Sequence, residues 1–374
     1  MISFLSVFPP FRGGIARFSD YLYKNLGSVK EIDGVNFKTL YPKLLFPGTT
    51  QYEKPRVPSY AEEVMHSYNP LIWKKTAQRI ANDKPKVLLI SYWHPFFIPA
   101  FNSVIKRVKK ISPSTKVVTI AHNVLPHESF PFSEKLMRSF FQNNDLVITL
   151  SSQTEQEFSS LDVSTKTEKL FHPIYETTLP PEPKESLREK YGFKSDDRII
   201  LFFGLIREYK GLDVLIKTLN NMDVVNNKFK PLIVGEFYDD KQKYIDIINP
   251  QHKDAYTIID RFVSNKESAE VMSISDLLIL PYKTASQSGV LADALNFNLP
   301  SIVSNHPGVT EYLKDGENGL IFESENIEML QSKLTQYFEN EGLQQKIRKN
   351  VTDLKDELSW KTFTLELDKY LKIL

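Results

Sequence analysis

At 374 residues the chain is too long for one ordinary core and suits two domains. Its 41% apolar and 25% charged residues are those of a soluble globular protein, and no apolar run reaches the roughly 18 residues of a membrane-spanning helix. With no cysteine, disulfides and thiolate chemistry are excluded. The net charge of +1 conceals an asymmetry: 22 Lys and Arg against 15 Asp and Glu up to residue 180, then 25 against 31 beyond it. A basic first half and an acidic second half point to different partners for each.

Met1 leads straight into the strand-like run Ile2–Phe8, without the basic start, long apolar region and cleavage site of a secretory signal. The cytoplasm is the expected compartment, and Asn350-Val351-Thr352 reads as a chance glycosylation match. After the first run comes FPPFRGGIARF, in which Gly13 and Gly14 precede the helical pattern Ala16–Leu26. Paired glycines there let backbone approach a ligand, although an ordinary strand-to-helix turn also explains them. The run Val87–Ser91 is followed by His94, set among bulky apolar residues. Next, Lys106, Arg107, Lys109 and Lys110 cluster beside Phe101, Val104, Ile105, Val108 and Ile111. That is a basic helix with an apolar stripe, read either as a solvated surface helix or as an attachment to an anionic membrane surface. No recognised motif accompanies the patch, so no nucleic-acid partner is expected.

The run Lys116–Ala121 ends in AHNVLPHE, which places His122 where a parallel strand should end and His127 beyond it. The helical pattern Glu134–Asn143 and the run Leu146–Leu150 follow. Short buried strands alternating with helices argue for parallel sheets in α/β domains. The proline-rich segment Pro173–Pro183 breaks the rhythm and reads as a linker. A first domain over 1–178, a second over 185–356 and a helical tail over 357–374 follow from this.

In the second half the runs are Ile199–Phe203, Leu232–Val234, Leu277–Leu280 and Ser301–Val303, with helical patterns Gly211–Asn220 and Asn326–Asn340 among them. Gly204 ends the first of these strands and Lys210-Gly211 opens a helix in FFGLIREYKGLD. Arg207 supplies a planar fork and Lys210 a mobile point charge, close enough in sequence to converge on one diphosphate. In PYKTASQSGVLADALN, Ser286, Gln287, Ser288 and Gly289 precede the helical pattern Val290–Asn296. A helix start presents unpaired N–H groups and partial positive charge, which suit a phosphate. Asp293 lies one turn into that helix, within reach of a ligand's hydroxyls.

The order FPPFRGGIARF, AHNVLPHE, FFGLIREYKGLDVLI, LIVGE, VSNKESAEVMSISDLLILPY, SGVLADAL and PGVTEYLKDGENG resembles the family-4 type (group 1) of retaining glycosyltransferases, over nearly the whole chain. The resemblance implies the GT-B fold: two Rossmann-like, doubly wound α/β domains facing a central cleft, with the tail helix at Trp360 crossing back to the first. It implies a hexosyl transfer from a nucleoside-diphosphate sugar, UDP or GDP, to an acceptor hydroxyl of a saccharide or lipid-linked saccharide. Arg207 and Lys210 would hold the donor diphosphate, Gly235 and Glu236 would line the nucleotide pocket, and Val263 would offer backbone groups to the base. Ser288, Gly289 and Val290 would give N–H groups to the phosphates, and Asp293 would accept from the ribose. Gly13 and Gly14 would approach the donor, and His122 would contact the transferred sugar. Asp276 would be structural, ending a helix before the strand.

One departure stands out. The family usually has two glutamates separated by seven residues; here the second is Asp293 and the first falls on Ala285. Ser286 or Gln287 would take over that sugar-hydroxyl contact as neutral partners. Asp239-Asp240 and Asp196-Asp197 read as solvated loop pairs, so no metal or other cofactor is expected. Two further readings stay open: another enzyme of the same fold, such as a nucleotide-sugar epimerase or a phosphorylase, and a non-catalytic nucleotide-binding protein, which Ala285 motivates.

Overall fold

The computed structural model describes residues 1–41, 51–52, 59–125, 133–176, 180, 182–285 and 288–374. Met1–Pro173 together with Trp360–Leu374 form one compact unit, and Ile174–Ser359 form a second. The sequence reading ends the first domain at 178, five residues later, starts the second at 185, eleven residues later, and starts the tail at 357, three residues earlier.

The apolar runs of the first half become the middle of a wholly parallel sheet. In chain order the unit contains β1 (Ile2–Leu5), α1 (Gly14–Gly27), β2 (Ile32–Thr39), β3 (Glu62–His66), α2 (Pro70–Asn82), β4 (Val87–Tyr92), α3 (Ile98–Ile111), β5 (Lys116–Ala121), α4 (Ser133–Phe141), β6 (Leu146–Thr149), α5 (Ser152–Ser160) and β7 (Thr167–Lys169). The strand order is β3-β2-β1-β4-β5-β6-β7. β1 and β4 are buried along their whole length, which is why they read as unbroken apolar runs. The winding reverses between β1 and β4, where Ile2 pairs with Val87 and Leu5 with Ile90.

α3 is the basic helix, and its apolar stripe faces inward: Phe101, Val104, Ile105 and Val108 are all buried in the core. Lys109 is held by Asp145 at 2.6 Å, and the same carboxylate accepts from the Val117 N–H at 2.7 Å. Four of the five stripe residues thus form a packing face, while Ile111, at the end of α3, is 44% exposed. No helix of the described residues is long and apolar enough to cross a membrane.

The second unit contains α6 (Lys184–Lys190), β8 (Arg198–Phe203), α7 (Leu212–Asn220), β9 (Phe229–Val234), α8 (Gln242–Ile245), β10 (Thr257–Ile259), α9 (Asn265–Ile274), β11 (Leu277–Leu280), α10 (Gly289–Asn296), β12 (Ser301–Ser304), α11 (Pro307–Thr310), β13 (Leu320–Phe322), α12 (Ile327–Glu339) and α13 (Glu341–Glu357). Its strands are again all parallel, in the order β10-β9-β8-β11-β12-β13, and the winding reverses between β8 and β11. Asp276, just before β11, accepts from the Arg188 guanidinium at 2.7 Å and the Ile199 N–H at 2.9 Å, with Lys184 at 3.1 Å. It ties α6, α9 and β8 together and has a structural task.

The last helix, α14 (Trp360–Lys372), belongs to the first unit. Leu358 and Ser359 interrupt the helical tail, so α13 and α14 are separate helices and not one. α14 buries Trp360, Phe363 and Leu367, and Trp360 packs on Phe18 and Tyr21 of α1 at ring distances of 5.0 and 5.4 Å. Lys30 reaches Asp368 at 3.1 Å.

Candidate anion-binding site

In a doubly wound sheet, ligands sit beyond the C-terminal ends of the strands where the winding reverses, because loops leave to opposite faces there and open a crevice. In the second unit that place lies between β8 and β11. Gly204 follows β8, and its N–H donates to the Val234 carbonyl of β9 at 2.9 Å. The chain then makes a short 3-10 turn over Glu208–Lys210 and reverses at Gly211, in a left-handed conformation (φ 71°), to enter α7. A side chain at Gly211 would be strained twice over: its Cβ would also lie 1.9 Å from the Pro281 carbonyl oxygen, at the exit of β11. Gly235, at φ 150°, has the same problem against the Gly204 carbonyl oxygen. The exits of β8, β9 and β11 thus meet backbone to backbone.

The two cations predicted for a diphosphate stand in this junction. A Cβ built on Gly204 would meet the Lys210 Nζ at 2.9 Å and the Val290 side chain of α10 at 3.4 Å, so Lys210 and α10 share one small space. Among the described residues neither Arg207 nor Lys210 forms an ion pair with a carboxylate; each rests on an aromatic ring instead. The Arg207 guanidinium lies 4.8 Å from the Tyr238 ring centre, and the Lys210 ammonium 5.5 Å from that of Tyr282. Nearby lysines behave differently: Lys217 and Lys283 both pair with Asp213. Burial, and then the neighbouring Arg207, lower the Lys210 pKa below its ordinary value. Two cations side by side, one half-buried and neither neutralised, form a site that favours an anion.

The helix start completes it. Ser288 is the N-cap of α10, its hydroxyl accepting from the Leu291 N–H at 3.3 Å, and the Tyr282 hydroxyl lies 3.3 Å from the same oxygen. Tyr282 therefore touches both Lys210 and the cap of α10. Gly289 and Val290 occupy the first turn, and Asp293 stands exposed one turn further on. Glu236, exposed after β9, accepts from the Ile206 N–H through its carbonyl at 2.9 Å. Val263 lies buried in the loop after β10. Ser286 and Gln287, and likewise His127, lie outside the described residues.

The remaining candidates belong to the first unit. Gly13 (φ 118°) and Gly14 are exposed at the start of α1. His122 follows β5 and is buried edge-on against Phe18, ring centres 4.5 Å apart. Its Nε2 has no hydrogen-bond partner among the described residues, and burial, with His172 nearby, lowers its pKa to about 3, so the ring is neutral at ordinary pH. His94 caps a short 3-10 turn, its Nδ1 accepting from the Phe96 N–H at 3.1 Å. Sequence reasoning missed Tyr238, Tyr282, Lys283 and Asp213. An aromatic ring under a cation has no spacing signature, and only the position after a strand end could have drawn attention to them.

Residues 183–353 match the family model described as glycosyl transferases group 1. An uncharacterized glycosyltransferase of Methanocaldococcus jannaschii is 25% identical over 169 residues, 45% of this chain and 46% of the relative, so the chain spans about half of that protein's length. The N-acetyl-alpha-D-glucosaminyl L-malate synthase of Bacillus anthracis is 23% identical over 290 residues, 76% of this chain and 72% of the relative. Among solved structures, Anabaena HepE in complex with UDP superimposes with a TM-score of 0.70 at 16% identity, covering all of both chains. The second half of the chain thus matches the glycosyl transferases group 1 model over residues 183–353, and the two parallel doubly wound sheets share the GT-B fold of that solved structure.

Proposed function

We propose that the chain moves a hexosyl group from a nucleoside-diphosphate sugar, with UDP or GDP as carrier, to a hydroxyl of a saccharide or lipid-linked saccharide, with retention of anomeric configuration and without a metal. The observation that carries this reading is the pair Arg207 and Lys210, without a carboxylate partner among the described residues, beside the capped start of α10. Positive charge grows on the sugar and negative charge on the departing diphosphate as the bond breaks, so fixed cations and helix N–H groups stabilise the leaving group most when it matters. A neutral His122 is suited to hydrogen-bond a sugar hydroxyl without adding charge. Asp293 would accept from the ribose hydroxyls, and the loops after β9 and β10 would hold the base. HepE has been crystallised with UDP and with UDP-glucose, and a relative from Acholeplasma laidlawii is an alpha-monoglucosyldiacylglycerol synthase, which is in keeping with a nucleotide-sugar donor and a glycosyl acceptor.

Ala285 favours one rival reading, a nucleotide-binding protein without turnover. Thermal melting with UDP, GDP, ADP and CMP, alone and as sugar conjugates, tests the donor part. A ligand that binds only the folded chain raises the melting temperature by mass action. One diphosphate should raise it, and Arg207→Ala or Lys210→Ala should abolish the rise. Binding without release of sugar from the conjugate, with or without acceptors, would favour the rival; no rise with any nucleotide would overturn the donor assignment.

A further inference from the structure

The two halves of the anion site come from different loops, and something must set their spacing. Arg207 and Lys210 sit in the turn after β8; Ser288 and α10 follow the loop after β11. Lys283 joins the two loops through both its main chain and its side chain. Its main-chain N–H donates to the Tyr209 carbonyl at 2.7 Å, within the turn that carries both cations. Its ammonium reaches Asp213, in the first turn of α7, at 3.2 Å, with Glu325 at 3.7 Å. Both Lys283 and Asp213 are largely shielded from solvent, at 21% side-chain exposure each. Immediately before it, Tyr282 lies under Lys210 and against the Ser288 hydroxyl, and its carbonyl accepts from the Ser324 hydroxyl at 3.0 Å. Pro281 meets Gly211 so closely that no Cβ fits between them.

We propose that Lys283 is a positioning residue for the diphosphate: clasping the turn after β8 through Tyr209 and Asp213, it fixes the distance between the Arg207–Lys210 pair and the start of α10. It acts through the backbone and not by touching the ligand, since its ammonium is engaged by Asp213. The idea rests on the proposed nucleotide site, and it makes a claim about Asp213 that a direct-contact role contradicts. If Lys283 touched the anion, removing Asp213 would free a cation and tighten binding. If Lys283 positions the loops, removing Asp213 undoes the clasp and weakens binding as much as removing Lys283 does.

Calorimetric titration with UDP and GDP on the full chain decides this, using Lys283→Met, Asp213→Asn, the double variant and Lys283→Arg, with a thermal melt of each. Hydrogen exchange of the unliganded proteins over 205–212 and 288–292 is read in parallel. The expectation is about tenfold weaker binding for Lys283→Met and for Asp213→Asn, no further loss in the double variant, and recovery in Lys283→Arg. Exchange in both segments should quicken in the two single variants while the melt stays cooperative. Tighter binding by Asp213→Asn, or unchanged affinity and exchange in Lys283→Met, would overturn the proposal while leaving the nucleotide site standing. Failure of the unaltered chain to bind either nucleotide would remove the site, and the proposal with it.

Discussion

Resting a cation on a tyrosine differs from pairing it with a carboxylate. A carboxylate would neutralise the charge and have to be displaced when a diphosphate arrived, whereas a ring face orients the cation and leaves the charge for the ligand. Arg207 on Tyr238 and Lys210 on Tyr282 are both held this way. The cost falls on Lys210, whose protonated form is disfavoured by burial and by Arg207. Its pKa in the free protein therefore lies below the ordinary lysine value of 10.5, and a bound diphosphate would raise it again. Binding then requires the protonated form, so UDP affinity should fall as pH rises through the lowered pKa, by up to about tenfold per pH unit above it. Titrations at several values from neutral pH upward check this. Lys210→Arg, always protonated, should bind with a flatter profile in the same buffers, which separates this titration from that of the nucleotide itself. An unaltered protein with the same profile as Lys210→Arg would show that Lys210 does not take part.

At the scale of elements, α10 has two tasks that pull apart under substitution. As an N-cap, Ser288 satisfies the Leu291 N–H; as part of an anion site, it leaves the helix start positive. Ser288→Asp separates these roles. Aspartate is as good a cap and its charge suits the helix dipole, so the melting temperature should hold or rise slightly. The same charge would face the phosphates, and UDP affinity should fall by more than tenfold, as read by titration. Ser288→Ala should do the opposite, costing about 1 kcal/mol of stability with a smaller effect on binding. Strands were legible in the sequence by the same kind of local logic, and the exceptions are instructive. The central strands β1, β4, β8 and β11 are buried on both faces and read as apolar runs. The strands absent from the sequence reading include all four sheet edges: β3, β7, β10 and β13. Three of these have only three residues, too few to show a period, and β3 reads EEVMH, charged at its exposed end. β2 was hidden for another reason. Its Asn36 looks like a turn residue but is fully buried, its side-chain oxygen accepting from the Phe8 N–H at 3.0 Å. At the site, Arg207, Lys210 and Ser288 were legible because residue type and position after a strand coincide. Tyr282 was not singled out, since nothing in a linear sequence says that its ring will lie under a lysine 72 residues earlier in another loop.

At the scale of the molecule, the chain path makes the two units unequal in independence. The second unit is one continuous segment, Ile174–Ser359, and its ends are fastened together: the Ile174 N–H donates to the Leu358 carbonyl at 3.0 Å, and Asn296 donates to the Tyr175 carbonyl at 2.7 Å while accepting from Lys355 at 3.0 Å through its own carbonyl. It has a complete sheet and carries Arg207, Lys210, Lys283 and α10 within itself. The first unit is discontinuous and includes α14. Without that helix the faces of Phe18 and Tyr21 that meet Trp360, and the face of Phe171 that meets Phe363, would turn to water. Truncating one buried aromatic of this size to alanine typically costs about 3–5 kcal/mol, a large share of the 5–15 kcal/mol that holds an ordinary domain together. A fragment of residues 174–359 should therefore melt cooperatively and retain nucleotide binding, whereas residues 1–173 alone should bind a hydrophobic dye and lack a sharp transition. Adding a peptide of residues 360–374 should restore the transition, and the same peptide with Trp360→Ala and Phe363→Ala should not. Circular dichroism melts of the three mixtures check this. A sharp melt of residues 1–173 unaided would mean that α14 decorates the first unit without holding it, and that the aromatic contacts contribute far less than their burial implies.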